Sequence, residues 1–369
     1  MCFYCRCRVL RMNEAMYHCM IKSRIWRRRP YYASLLSFIS STMSALSRPV
    51  KRQRTESAPS ITRSSSVWYE DGSVVLQVES TQFKVHWGVL AQHSSFFHDM
   101  QGLPQPLDQP SVDGCAIVEL LDPVVDVEHL LKALYHSTPL FKEALEFPVV
   151  AALIRLGRKY DFRNLLDIAV ECLTLENPAT ILEYDARIFH NRHTPNRQRI
   201  TPYPGLLFDM ITLARENDIF TALPCAYYRA ITTHDWASLF DGVPRGDGTC
   251  AALPAIDQRA FILGRERILH AQCANGNTFG WLRSWANRVG CSNPALCNAW
   301  RDQICDLFLT VPRLMAIPEP TSIRSWTVRL CDPCAQHVER SVAAGRMRMW
   351  DALPALFDLP PWTELKNDP

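Results

Sequence analysis

Long apolar runs are missing from this chain of 369 residues: none reaches eighteen consecutive residues, short of the roughly 20 that a membrane-spanning helix needs. Glycine is scarce, 14 residues against 25 proline. Acidic residues are nearly absent at the start, where Glu14 is the only one before Glu56. Charge excess is small as well. Forty Lys and Arg against 37 Asp and Glu leave a formal net charge of +3, which argues against a general nucleic-acid binder. No G-x-S-x-G elbow, P-loop, dinucleotide fingerprint or H-E-x-x-H occurs, so the common sequence marks of hydrolases, nucleotide enzymes and zinc proteases are excluded. Nor is there a zinc finger with two Cys and two His, a basic zipper or a compelling helix-turn-helix.

What is present is proline in the places where helices begin or connections run, as at Pro148, Pro178, Pro294 and Pro354, which reads as a helix-rich chain with stiff punctuation. Fourteen cysteines are many for this length. They are not spaced like a secreted disulfide framework, and the first residues alternate Cys, Arg and aromatics without the apolar core of a signal peptide. Reduced thiols and a nuclear or cytoplasmic location, or both, are therefore expected.

Residues 1–66 read as a disordered basic, Cys- and Ser-rich segment. Its Arg content and lack of acids fit a mitochondrial transit peptide, but Cys2, Cys5, Cys7 and Cys19 are atypical of one. An upstream extension with no folded role is the preferred reading, with Met43 a natural internal start. Lys51, Arg52 and Arg54, followed by a Ser/Thr run from Thr55 to Ser66, are a nuclear-import candidate and equally an ordinary solvated charge cluster.

From Trp68 the pattern changes. Val74, Leu76 and Val78 alternate with Val75 and Gln77, a run apolar on both faces. A polar break at Glu79-Ser80-Thr81 then leads into the alternating Gln82-Phe83-Lys84-Val85-His86-Trp87. Two such runs predict a hairpin. Val89, Leu90, Phe96, Phe97 and Met100 predict a helix, Cys115–Leu120 a third strand, and Asp126 the cap of a helix carrying Val127, Leu130, Leu131, Leu134 and Tyr135. Phe147-Pro148 opens a helix that ends at Tyr160-Asp161, and Leu165, Ile168, Ala169, Cys172 and Leu173 mark the next.

Asp71, His86, Leu90, Ser94, Phe97 and the Tyr160-Asp161 junction, at these spacings, resemble the BTB (POZ) domain, and the start Trp68-Tyr69-Glu70-Asp71-Gly72 is similar to that of fungal, basidiomycete-type BTB proteins. The resemblance covers about 110 residues in order. It departs at Trp87, where the family is often basic, and at residues 49–66, which show no apolar helical period. What it implies is a non-enzymatic scaffold or adaptor that self-associates or docks a protein partner. The expected homodimer lacks the visible N-terminal helix of domain-swapped forms, and a cullin ubiquitin ligase is a candidate partner. A transcription regulator recruited to chromatin is the alternative; an enzyme using C-terminal thiols is a remoter one. Asp71, His86, His93 and Ser94 contain the residue types of a hydrolase triad, but residue types do not make one, and the structural reading of His86 and Ser94 is preferred.

Beyond this domain the sequence reads as helices. Asn177-Pro178 offers a cap and a first helical position for a helix through Ile181, Leu182 and Tyr184. Arg187, His190, Arg192, His193, Arg197 and Arg199 form a basic cluster, read as a solvated connection in preference to a phosphate or nucleic-acid site. Helices follow over Leu206–Ala214, after Pro224 and over Ile256–Ile268, with a loop at residues 241–248.

Near the end, Cys291-x5-Cys297 and Cys331-x2-Cys334 carry the sharpest chemistry. Thiolates are the soft ligands that tetrahedral zinc prefers, and two pairs make a four-cysteine site. Asn293-Pro294 marks a helix start that would place Cys297 in its first turn; His337 and Cys305 are substitute ligands, and Cys273 lies further off. Ordinary buried thiols and a redox C-x-x-C are the competing readings. Similar pairs followed by a segment like Trp350–Phe357 belong to what the fungal resemblance implies.

The expected fold is thus α+β: a BTB-like domain, a short sheet packed with helices, over residues 67–175, followed by a mostly α-helical C-terminal region. That region divides into a helical extension over 176–272 and a Cys-containing helical part over 273–369. Structural zinc is the only cofactor expected. No membrane, small-molecule substrate or direct nucleic-acid partner is expected.

Overall fold

The computed structural model describes residues 60–102, 110–136, 140, 144–189, 198–285, 290–310 and 313–367. Met43 and the import candidate Lys51, Arg52 and Arg54 lie outside the described residues.

A five-stranded mixed sheet has the order β1-β3-β2-β5-β4. Its strands are β1 (Thr62–Trp68), β2 (Val74–Val78), β3 (Thr81–Val85), β4 (Ser111–Val112) and β5 (Cys115–Leu120). Strand β2 is central, and its two-faced apolar run fits that place, because a strand covered on both sides cannot alternate with polar residues. The expected hairpin forms: β2 and β3 are antiparallel from Val74↔Val85 to Val78↔Thr81. Strand β5 lies parallel to β2 on its other edge, from Val74↔Ala116 to Val78↔Leu120. Strand β1 begins at Thr62, inside the stretch that reads as a Ser-rich tail, and runs parallel to β3. Its residues are mostly exposed, so no apolar alternation marks it. Partner contacts hold it instead: the Ser66 hydroxyl donates to Glu128 at 2.6 Å, and the Arg63 guanidinium donates to Asp113 at 3.2 Å.

The helix expected from Val89 to Met100 is two helices, α1 (Trp87–His93) and α2 (Ser95–Gln101). Ser94 ends the first and caps the second, its oxygen accepting the Phe97 N–H at 3.1 Å. Helix α3 (Val124–Tyr135) starts after Pro123, and Asp126 is not its cap. The Asp126 carboxylate is buried and takes the Arg155 guanidinium in a fork, at 3.0 Å from Nε and 2.8 Å from Nη2, an attraction stronger than a cap bond. Helices α4 (Phe147–Lys159) and α5 (Arg163–Glu176) form the expected closing pair.

In the extension, α6 (Ile181–Ile188) is capped by Thr180 and not by Asn177. The Thr180 oxygen accepts the Glu183 N–H at 3.3 Å and its hydroxyl donates to the Glu183 carboxylate at 2.7 Å, while buried Asn177 accepts from Arg229 at 2.7 Å. The ends of the basic cluster are also corrected. Arg187 pairs with Glu176, and the guanidinium of Arg199 donates to the Leu140 carbonyl at 2.8 Å, so both face the protein and neither is a solvated charge. His190, Arg192, His193 and Arg197 lie outside the described residues. Helices α7 (Leu206–Glu216), α8 (Leu223–Thr233), α9 (Trp236–Asp241) and α10 (Ala255–Ala271) follow. The loop expected at 241–248 contributes to a small hairpin, β6 (Val243–Pro244) with β7 (Cys250–Ala251). The remainder is α11 (Pro294–Thr310), the short α12 (Ile323–Thr327) and the long α13 (Asp332–Leu356).

One buried core runs through the sheet, the closing helix pair and the extension: Leu76, Phe97 and Leu153 belong to the same cluster as Phe208, Tyr227 and Phe261. A second, smaller core holds Trp281, Trp285, Ile304, Ile323, Val338 and Val342. Helix α13 joins the two. Its first half carries Cys334, Val338 and Val342 into the small core, and its second half carries Met349, Trp350 and Leu353 into the large one. At 25 residues it spans roughly 37 Å. Its crossing is set by Gly345, where an added Cβ would lie 2.4 Å from backbone atoms of Asn277 and Thr278. Backbone cannot swing aside as a side chain can, so Gly345→Ala is expected to lower stability by about 1–3 kcal/mol, read as a shift in the urea midpoint.

The fold is α+β, a short mixed sheet packed with helices followed by a helical C-terminal region.

Candidate functional site

The four cysteines singled out from sequence converge. The sulfurs of Cys291, Cys297, Cys331 and Cys334 all lie within 4.8 Å of one another, and no other ligand type joins the group among the described residues. The substitutes His337, Cys305 and Cys273 stand outside it. Local geometry explains the convergence. Asn293 caps α11, accepting the Leu296 N–H at 3.2 Å, so Cys297 falls in the first turn with Cys291 just ahead of the helix. Cys331 is the N-cap of α13 and Cys334 sits in its first turn. Two helix starts thus face each other, each contributing one wholly buried sulfur (Cys297, Cys334) and one half-buried (Cys291, Cys331).

Around the sulfurs the backbone donates. The Cys331 N–H reaches the Cys297 sulfur at 3.4 Å, and the Cys331 and Cys291 sulfurs are 3.8 Å apart. The backbone N–H of Cys334, helped by Ser292, holds the Cys331 thiol well down, to about 5. Burial pushes the Cys334 thiol up, and the neighbouring Cys291, Cys331 and Cys297 add to this; burial also raises Cys297. Burial therefore opposes ionising Cys297 and Cys334 unless a cation shares their charge. A zinc–sulfur bond of about 2.3 Å places tetrahedral sulfurs about 3.8 Å apart, so the donor set and its spacing fit a single zinc ion. Ser292 is the one contributor that sequence reasoning missed; only its place beside Cys291 could have marked it.

In the sheet domain, the residues of the sequence motif are spent on the fold. Leu90, Phe97 and Tyr160 are buried. The Ser94 hydroxyl donates to the Tyr160 carbonyl at 2.5 Å, tying α2 to the junction after α4. Asp161 occupies a left-handed turn at φ 53°, where a short polar side chain is tolerated, and accepts from Ser95 and from Arg163. His86 bridges Tyr135 through Nδ1 at 3.1 Å and Asp71 through Nε2 at 3.1 Å. The His86 ring beside it holds the Asp71 carboxyl below the usual carboxylate range. Ser94 therefore gives its proton to a backbone carbonyl, and His86 is taken by Tyr135 and Asp71, which is no hydrolase relay.

This order of strands and helices, with Ser94 locked to the Tyr160-Asp161 junction, has a family match. Residues 71–175 are a BTB/POZ domain. They match that domain's family model along this whole span, about the extent that the sequence resemblance covers, and the match is to the domain in general without singling out the fungal set. No curated protein matches the chain. A BTB/POZ domain is a protein-interaction domain, and among the described residues its exposed large apolar side chains are Phe96, Leu121, Val125 and Leu175, with Leu121 94% exposed. A cleft of about 590 Å³ opens where α4 of the BTB/POZ domain meets the extension. Of the charged groups that line it, Arg155 pairs with Asp126 and Arg245 with Asp209, while Asp247 accepts from Thr249.

Proposed function

We propose that the chain is a non-enzymatic scaffold or adaptor that uses its BTB/POZ domain to self-associate or to dock a protein partner, with the four-thiol group as structural support and not a reaction centre. The observation that carries this is the BTB/POZ domain itself, in which the polar motif residues Ser94, His86 and Asp161 serve internal bonds while apolar Leu121 and Val125 stand exposed. An unswapped homodimer is favoured, because residues 49–66 show no apolar helical period for a swapped N-terminal helix. A cullin ubiquitin ligase is the leading candidate partner and chromatin recruitment the alternative. The reduced thiols and the Lys51, Arg52, Arg54 cluster support a nuclear or cytoplasmic location.

Light scattering on the purified full chain at high micromolar concentration is expected to give a dimer. A strict monomer would remove self-association from the proposal. Affinity purification with mass spectrometry then separates the partners: a reproducible cullin supports the ligase-adaptor role, whereas chromatin proteins alone support the regulator.

A further inference from the structure

The small core around Trp281 and Trp285 has few apolar residues of its own. It gathers eight buried residues, two of which are Cys297 and Cys334. Cores of this size are usually stapled by a disulfide or a metal. Its polar support is local: Trp285 Nε1 donates to Asn298 at 2.9 Å, and Trp300 Nε1 to the Trp326 carbonyl at 2.7 Å. The four sulfurs sit where the chain enters α11 and α13, the two long helices that close this core.

We propose that Cys291, Cys297, Cys331 and Cys334 bind one zinc ion in a closed tetrahedral site, and that this ion staples the start of α11 to the start of α13 and so completes the small core. Four features of the site converge on this. The ligand set is all sulfur, the choice of zinc among abundant ions. The 3.8 Å between the Cys291 and Cys331 sulfurs equals the edge of a zinc tetrathiolate and is far from the roughly 2.05 Å of a disulfide. With every sulfur within 4.8 Å of the others, there is room for one ion and none for a multi-iron cluster. Both pairs open helices, where unpaired N–H groups and the positive end of the dipole stabilise thiolates, and the Cys331 N–H already points at the Cys297 sulfur. With all four positions taken by protein, none remains for substrate or water, so the role is structural.

The stapling has a directional consequence. Helix α13 passes from the zinc end into the large core, so metal loading sets whether its first half is held, while Met349, Trp350 and Leu353 remain anchored independently. Losing the ion loosens the small core and the first half of α13 and leaves the BTB/POZ strands in place.

The test uses the full chain purified under reducing conditions without chelator. Elemental analysis is expected to give close to one zinc per chain. Less than about 0.3 equivalents overturns the proposal. Iron in place of zinc, or an intact mass showing disulfides among these cysteines, overturns it equally. Cys291→Ser and Cys331→Ser, chosen because these side chains are half-buried and leave no large cavity, are expected to lose the metal, whereas Cys273→Ser keeps it. Hydrogen exchange keeps the claim testable if a variant folds poorly. After chelation, peptides from 281–342 are expected to lose protection while those from 74–85 retain it. Unchanged exchange in 281–342 after complete removal of zinc would refute the stapling role. Failure of either arm leaves the adaptor reading standing, since that reading is tested by oligomeric state and partners.

Discussion

Replacing Asp257 by Ala is expected to destabilise the protein by about 3–5 kcal/mol, the usual cost of removing one partner from a buried ion pair. Asp257 is wholly inaccessible, in the first turn of α10. Its Oδ1 accepts from Arg215 Nε on α7 at 2.7 Å and from the Tyr227 hydroxyl on α8, and Arg215 Nη2 also donates to that hydroxyl at 2.5 Å. Three helices of the extension thus meet at one carboxylate. Without it, a guanidinium only 24% exposed keeps its charge with no counter-charge and little water. Asp257→Asn keeps an acceptor of the same shape and is expected to lose less. Because the extension shares its core with the BTB/POZ domain, Asp257→Ala should lower the urea midpoint in one transition seen alike by fluorescence and circular dichroism. Two separated transitions, or a loss below about 1 kcal/mol, would contradict the shared core or the weight given to the pair.

Phe97→Ala is expected to be of similar size, about 3–5 kcal/mol. Phe97 is 1% exposed, and its ring meets Trp87, Phe96, Tyr160 and Phe162 at centroid distances between 5.3 and 6.3 Å. Truncation would open a cavity among four aromatic side chains that cannot close around it. The result separates two meanings of a motif residue. If Phe97 were a docking residue, the variant would fold normally and lose only its partner. The geometry instead has it lose stability first, as measured by thermal unfolding, with any binding defect following from that.

How much was readable beforehand differs by element. The β2–β3 hairpin, β5 and the pair α4–α5 are legible because burial on fixed faces writes itself into spacing: Val74, Leu76 and Val78 must be apolar, and Pro148 must sit at a helix start. The same holds for the cysteines. C-x-x-C puts Cys331 and Cys334 at one helix start, and the Asn-Pro start puts Cys297 in a first turn with Cys291 just ahead of it, both from local geometry alone. Features whose partners are distant in sequence were not legible. Strand β1 is a run of Thr, Arg and Ser that is a strand only because β3 lies beside it. Asp126 has the composition of a cap but is drawn to Arg155, and Asn177 gives up its cap to Thr180 because Arg229 claims it.

The sequence by itself determined the local periods: which residues alternate, which recur every third or fourth position, where proline starts a helix, and that two cysteine pairs exist. From these came the α+β class and the BTB/POZ assignment. Only the tertiary structure decided that the two pairs meet, that the basic residues Arg187 and Arg199 turn inward, and that the extension continues the BTB/POZ core. The reason is one of range. Spacing along a chain records the faces of single helices and strands, whereas the meeting of Cys291 and Cys331, 40 positions apart, depends on how whole helices pack, which no local pattern encodes.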